Sequence, residues 1–171
     1  MQKKLTLDAS LAKDISVAVV HSFKETFGVD VEVGMPVFGE GMVSLAGDIS
    51  GIIGMVQEHL DGTLILCINS PIVGSILPRV LGESMPITNE MIVDSVGELT
   101  NMVFGQVKSE LNQRDHQIKL GIPCVITGKS HYVCQFHRGK FMVAPFFLEG
   151  RLFEVYIALH ETPTNASEEK R

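Results

Sequence analysis

Ile92, Val96, Leu99, Val103 and Val107 recur at a spacing that only a helix gathers onto one side. At roughly 100° per residue, Asp94, Glu98, Asn101 and Gly105 then fall in a narrow stripe on the opposite side. The segment therefore reads as a helix with its back in a core and an acid, an amide and a glycine facing outward. Gly97 and Gly105 interrupt it, each at a cost of about 1 kcal/mol relative to alanine. The room they leave suits a surface that another molecule approaches closely.

The rest of the chain is organised around that helix. Leu11, Ile15, Ala18, Val19, Phe23 and Phe27 keep a helical period, and Gly28 is placed to end it. Strand-like runs follow at residues 30–38, 42–49, 52–58 and 63–69, separated by glycine and aspartate turn signals. A short helix is predicted over 71–81 despite Pro78, and the motif helix over about 88–112 with Thr88 as its N-cap. Strand runs at 117–127, 141–148 and 152–160 close the pattern. This is an α+β chain, with two long helices packed on a mostly antiparallel sheet. A single domain is expected over residues 1–162, followed by a polar, flexible tail at 163–171.

One internal echo suggests two related halves, about 8–85 and 86–162. Val31-Glu32-Val33-Gly34-Met35-Pro36 follows the first helix, and Ile118-Lys119-Leu120-Gly121-Ile122-Pro123 follows the motif helix. The first helix carries no counterpart of the Glu98/Asn101 pair, so only one half is armed.

Charge narrows the partners. A net charge of −6 without a basic cluster argues against nucleic acid and against an anionic membrane surface. No apolar run approaches the roughly 20 residues that span a bilayer. The basic start at Lys3 and Lys4 has no continuous apolar stretch after it, so no signal peptide is expected. Three cysteines, Cys67, Cys124 and Cys134, give no disulfide framework, and the cytosol is the expected compartment.

The stripe's chemistry is restricted by its residue types. Glu98 and Asn101, three apart, lie side by side on one helical face. A lone carboxylate is not a metal site, and an amide is neither nucleophile nor base. An asparagine can, however, hold a water by donating and accepting hydrogen bonds together. Water placement is a large part of phosphoryl-transfer catalysis. Glu98 is suited to anchoring a lysine on whatever carries the phosphoryl group. The pair favours hydrolysis on a docked partner over a self-contained active site.

The run from Asp94 through Glu98 and Asn101 to Gly105 resembles the Asp/Ser-x-x-x-Glu-x-x-Asn-x-x-x-Gly signature of the CheC/CheX/FliY phosphatases. The single copy, the preceding helix–strand half and the Gly-x-Pro strands look most like CheX, over roughly residues 8–160. The resemblance implies a CheC-like fold and hydrolysis of the aspartyl phosphate of a CheY-type response regulator in chemotaxis or a related two-component circuit. It also implies that Glu98 ion-pairs with the regulator's active-site lysine while Asn101 orients the attacking water. The Mg²⁺ would belong to the regulator, with no cofactor on this chain. Gly97 and Gly105 would admit the partner's backbone. Met102 and Phe104 would anchor it, Asp94 would sit at the rim, and the chain would form a homodimer. The long C-terminal strand at 152–160 offers an edge for that pairing.

Two other readings stand beside this one. An adaptor or flagellar-switch-like protein on the same fold would bind a regulator without hydrolysis. His131, Cys134 and His137, with Cys124 and His116 nearby in sequence, carry zinc-type donors but lack a Cys-x-x-Cys clasp. Gly39, Gly41, Gly51 and Gly54 read as turn glycines, since no Gly-Lys-Ser/Thr follows.

Overall fold

Asp8 opens the first helix, its Oδ1 accepting from the Ser10 and Leu11 amides at 2.9 and 3.0 Å. Those donors are among the ones a first turn leaves free. The helix, α1 (Ala9–Phe27), stops at Gly28, whose φ of 66° lies in the left-handed region that a Cβ disfavours. The structure is a computed structural model in which residues 3–41, 44–129, 131 and 139–161 are described. The predicted polar tail therefore lies outside the described residues, as do Cys134 and His137.

The strands are β1 (Glu32–Val33), β2 (Val37–Glu40), β3 (Ile49–Gln57), β4 (Leu60–Ile68), β5 (Lys119–Leu120), β6 (Cys124–Thr127), β7 (Lys140–Leu148) and β8 (Arg151–Glu161). The remaining helices are α2 (Ser70–Ile76), α3 (Pro78–Leu81) and α4 (Asn89–Gln113). All described strands form one antiparallel sheet in the order β1-β7-β8-β4-β3-β5, with β2 also on β7 and β6 also on β3. The α+β expectation, with two long helices on an antiparallel sheet, is met.

Several predicted runs are broken where a backbone donor is missing or diverted. The runs at 30–38 and 117–127 each split into two short strands around Gly34-Met35-Pro36 and Gly121-Ile122-Pro123. Gly34 donates to Pro145 O at 2.8 Å and Gly121 to Gly54 O at 2.9 Å, after which the proline has no N–H to continue the ladder. Pro78 divides the 71–81 helix into α2 and α3 for the same reason. The run at 42–49 includes two residues outside those described, and the regular strand begins only at Ile49.

The strand order reads the same from either edge when β1 exchanges with β5, β2 with β6, β3 with β7 and β4 with β8. Each half thus lends its short strands to the other half's hairpin. The sequence echo itself is confined to the two Gly-x-Pro segments. One expectation needs correction: residues 152–160 do not form an edge. β8 is paired on both sides, with β4 and β7, because Val155, Tyr156, Ile157 and Ala158 are an unbroken, buried apolar run suited to the middle of a sheet.

α1 and α4 pack side by side on one face of the sheet over a core that includes Phe23, Phe104, Phe146 and Phe153. Phe23 stacks on Phe153 at 4.9 Å between centroids, and Phe153 on Phe146 at 5.4 Å. A smaller cluster of Leu45, Ile65, Cys67, Tyr156 and Ala158 occupies the opposite face.

Candidate functional site

Thr88 accepts from the Met91 amide at 3.2 Å and starts α4, which then runs through the whole motif without a break. Val96, Leu99, Val103, Val107 and Leu111 are buried, as the period requires. Asp94, Glu98, Asn101 and Gly105 are all exposed. Among the described residues, neither the Glu98 carboxylate nor the Asn101 amide has a hydrogen-bond or ion-pair partner. Glu90, Asp94 and Glu98 succeed one another at i, i+4 on this exposed side. Like charges at that spacing destabilise a helix by about 0.2–0.5 kcal/mol per pair. An arrangement that opposes stability, with unused polar groups, is what a partner-facing surface looks like.

The borders of the stripe are set by the neighbouring elements. On one side, Met102 is 38% exposed and lies beside the last turn of α1, its Sδ 3.9 Å from Thr26 Oγ1. On the other, Gly97 faces β6: a Cβ there would meet Val125 Cγ2 at 3.4 Å, an ordinary packing distance. At Gly105 an added Cβ would meet nothing within 4 Å. The two glycines therefore differ, Gly97 half-seated on the sheet and Gly105 fully open.

Phe104 requires a correction. It is 0% exposed and belongs to the main core, so it cannot be an anchor for a docked molecule. At ~100° per residue it lies about a quarter-turn from the stripe, on the same side as Gly97, which faces β6. Met102 remains the exposed apolar residue beside the pair.

Two residues are central to how the helix sits, Gly51, which the sequence reads as a turn glycine, and Thr100, to which it assigns no role. Gly51 is not a turn glycine but the third residue of β3, paired with Val125 on β6. The Thr100 side chain fills the space above it. Thr100 is fully buried, and its Oγ1 donates to Val96 O at 2.6 Å. Its polar side chain at an inward helical phase was the available signal.

The zinc-type donors are dispersed. His116 lies at the end of α4 with Nδ1 3.0 Å from Lys3 O. His131 is on the opposite sheet face, Nδ1 2.9 Å from Gly128 O and Nε2 2.8 Å from Ser50 Oγ. Cys124 is exposed on β6. No group of three or more His, Cys, Asp or Glu with metal-binding geometry occurs among the described residues. Among them, too, no helix is long and apolar enough to cross a membrane. Glu98 and Asn101 stand on the exposed side of α4.

Comparison with known proteins places the family and the fold. The profile of the family described as chemotaxis phosphatase CheX matches residues 49–147. A CheC-like superfamily protein from Shewanella sp. PV-4 superposes with a TM-score of 0.79 at 25% identity, over 90% of this chain and 99% of that one. The chemotaxis protein CheX from Desulfovibrio desulfuricans gives 0.76 at 23% identity, over 88% and 99%. A chain of the CheX–CheY–BeF₃–Mg²⁺ complex from Borrelia burgdorferi gives 0.71 at 20% identity, over 91% and 100%. No curated protein sequence matches.

Proposed function

Because the chain belongs to the CheX family of chemotaxis phosphatases, we propose that it hydrolyses the aspartyl phosphate of a CheY-type response regulator, using Glu98 and Asn101 of α4. The observation that carries this reading is the pair itself: two exposed polar side chains one turn apart on a rigid helix, both without partners among the described residues. In this reading the regulator docks across the stripe. Glu98 accepts from its active-site lysine, and Asn101 reaches the phosphoaspartate. The Asn101 amide then donates to and accepts from one water, holding it in line with the phosphorus–oxygen bond that breaks. Water oxygen bonds to phosphorus, the aspartate carboxylate leaves, and inorganic phosphate is the product. The Mg²⁺ that balances the phosphoryl charge is held by the regulator.

Gly105 admits the regulator's backbone, Met102 supplies an apolar contact, and Asp94 lies at the rim. Gly97, beside Val125 of β6, leaves room at the edge of the stripe where the regulator's backbone approaches. The protein is proposed to act in the cytoplasm as a homodimer. With β8 central, the outermost of the described strands are β1/β2 and β5/β6.

The test is the decay of a phosphorylated CheY-type regulator with Mg²⁺, alone, with this protein, and with Asn101→Ala. Acceleration that vanishes in the variant while docking persists supports the mechanism. Binding without acceleration would leave a non-catalytic adaptor as the better account.

A further inference from the structure

Gly97 and Thr100 are one helical turn apart, and each rests on one member of a single cross-strand pair. Gly97 lies over Val125 of β6, and Thr100 over Gly51 of β3, which faces Val125 in the register. The Thr100 contact is the tighter one. A Cβ built on Gly51 would fall 1.7 Å from Thr100 Oγ1, 2.8 Å from its Cβ and 3.0 Å from its Cγ2. The threonine side chain thus occupies the notch left by the missing glycine side chain. In the same rotamer its hydroxyl donates to the Val96 carbonyl at 2.6 Å, a carbonyl that already serves the helix ladder. A back-bond of this kind opens and bends the local turn. The turn between Val96 and Thr100 contains Glu98 and leads directly into Asn101.

The geometry points to Thr100 as the positioning residue of the catalytic turn: its methyl and hydroxyl, wedged over Gly51, set the angle between Glu98 and Asn101. This rests on the phosphatase reading and deepens it. Glu98 needs only to meet a lysine, and a charge contact tolerates displacement. Asn101 must hold a water in line, where a ~1 Å misplacement can cost about 10²-fold. Relaxing the turn should therefore damage turnover more than docking.

The experiment uses the full chain and a phosphorylated CheY-type regulator with Mg²⁺, comparing wild type, Thr100→Val, Thr100→Ser and Thr100→Ala, with Asn101→Ala as reference. Thr100→Val keeps the shape without the donor, and Thr100→Ser keeps the donor. Thr100→Ala removes both without overpacking, so it remains informative if the valine variant folds poorly. The expected result is a kcat at least about tenfold lower for the valine and alanine variants, with KM within about twofold and turnover largely kept in Thr100→Ser. Backbone amide NMR shifts of Glu98 and Asn101 should move in the first two and stay in the third, a readout independent of activity. Wild-type kcat and unmoved shifts in Thr100→Val and Thr100→Ala would overturn the assignment. A loss that follows only the folded fraction in all three variants would overturn it too. If the wild type binds the regulator without accelerating decay, the phosphatase reading itself fails; if Asn101→Ala keeps the wild-type rate, the Asn101 mechanism fails. In both cases the NMR comparison still decides whether Thr100 sets the turn.

Discussion

Arg114, just beyond the end of α4, holds the carboxylate of Asp14 in α1, with Nη1 2.8 Å from Oδ1 and 2.9 Å from Oδ2. The aspartate side chain is 4% exposed and the arginine 45%, so one partner is buried and the other is partly in water. This contact ties the helix that carries the site to the helix that braces it.

Burial raises the pKa of Asp14 above its ordinary 3.8, with Arg114 offsetting part of the effect. A carboxyl whose folded-state pKa is raised binds its proton more tightly when folded. Its ionisation therefore subtracts stability at neutral pH, and that cost disappears as pH falls through the raised value towards 3.8. Arg114→Ala should lower stability at pH 7 by about 1–3 kcal/mol, less at mildly acidic pH, because it strands a buried charge. Asp14→Asn in that background should recover part of the loss. Urea unfolding at two pH values tests both.

Glu98→Gln keeps the size of the side chain and removes its charge. We expect KM for the phosphorylated regulator to rise about three- to tenfold, the dependence of KM on salt to weaken, and kcat to change little. Steady-state kinetics over a salt series would show this. An unchanged KM with a collapsed kcat would assign Glu98 a chemical role instead.

Gly105→Ala should separate stability from function. Nothing lies within 4 Å of the new Cβ, so the substitution adds helix propensity without a clash, worth about 1 kcal/mol. The same methyl group stands where a docked regulator would come closest, so docking should weaken. A variant that unfolds at higher denaturant yet needs more regulator to saturate is the expected pair of observations.

Asp8→Ala removes the cap of α1 and should cost about 1 kcal/mol. The Asp8 pKa is lowered from 3.8, first by the Thr6 hydroxyl and then by the helix amides. Its contribution is therefore present above 3.8 and lost as pH falls through the lowered value. Melts at neutral and acidic pH should converge for wild type and variant at the acid end.

What was legible in the sequence follows the reach of local periodicity. The α4 stripe, its Thr88 cap and the Gly28 stop of α1 are written in neighbouring residues, and the structure has them there. Phe104 was misjudged because a residue at the boundary of the helical face is covered or left open by whatever packs beside the helix, a tertiary matter, and here it is fully buried. Gly51 looked like a turn because a glycine's partner is invisible in sequence, and here the partner is Thr100, far along the chain. The placement of β8 was missed although its apolar residues do not alternate with polar ones, a pattern that belongs to a strand with neighbours on both sides. Where two strands meet is a long-range choice, and a strand run alone leaves it open.

The position of β8 has a consequence for how the chain is made. The last of the described strands to leave the ribosome is the one that must be inserted at the middle of the sheet, between β4 and β7. Until it arrives, both neighbours present bare ladders, and Phe146 lacks the ring of Phe153 on which it stacks. Folding from the N-terminus as synthesis proceeds can thus build pieces but not the sheet. A message truncated anywhere before Arg151 yields a chain with its centre missing, a natural substrate for chaperones and proteases.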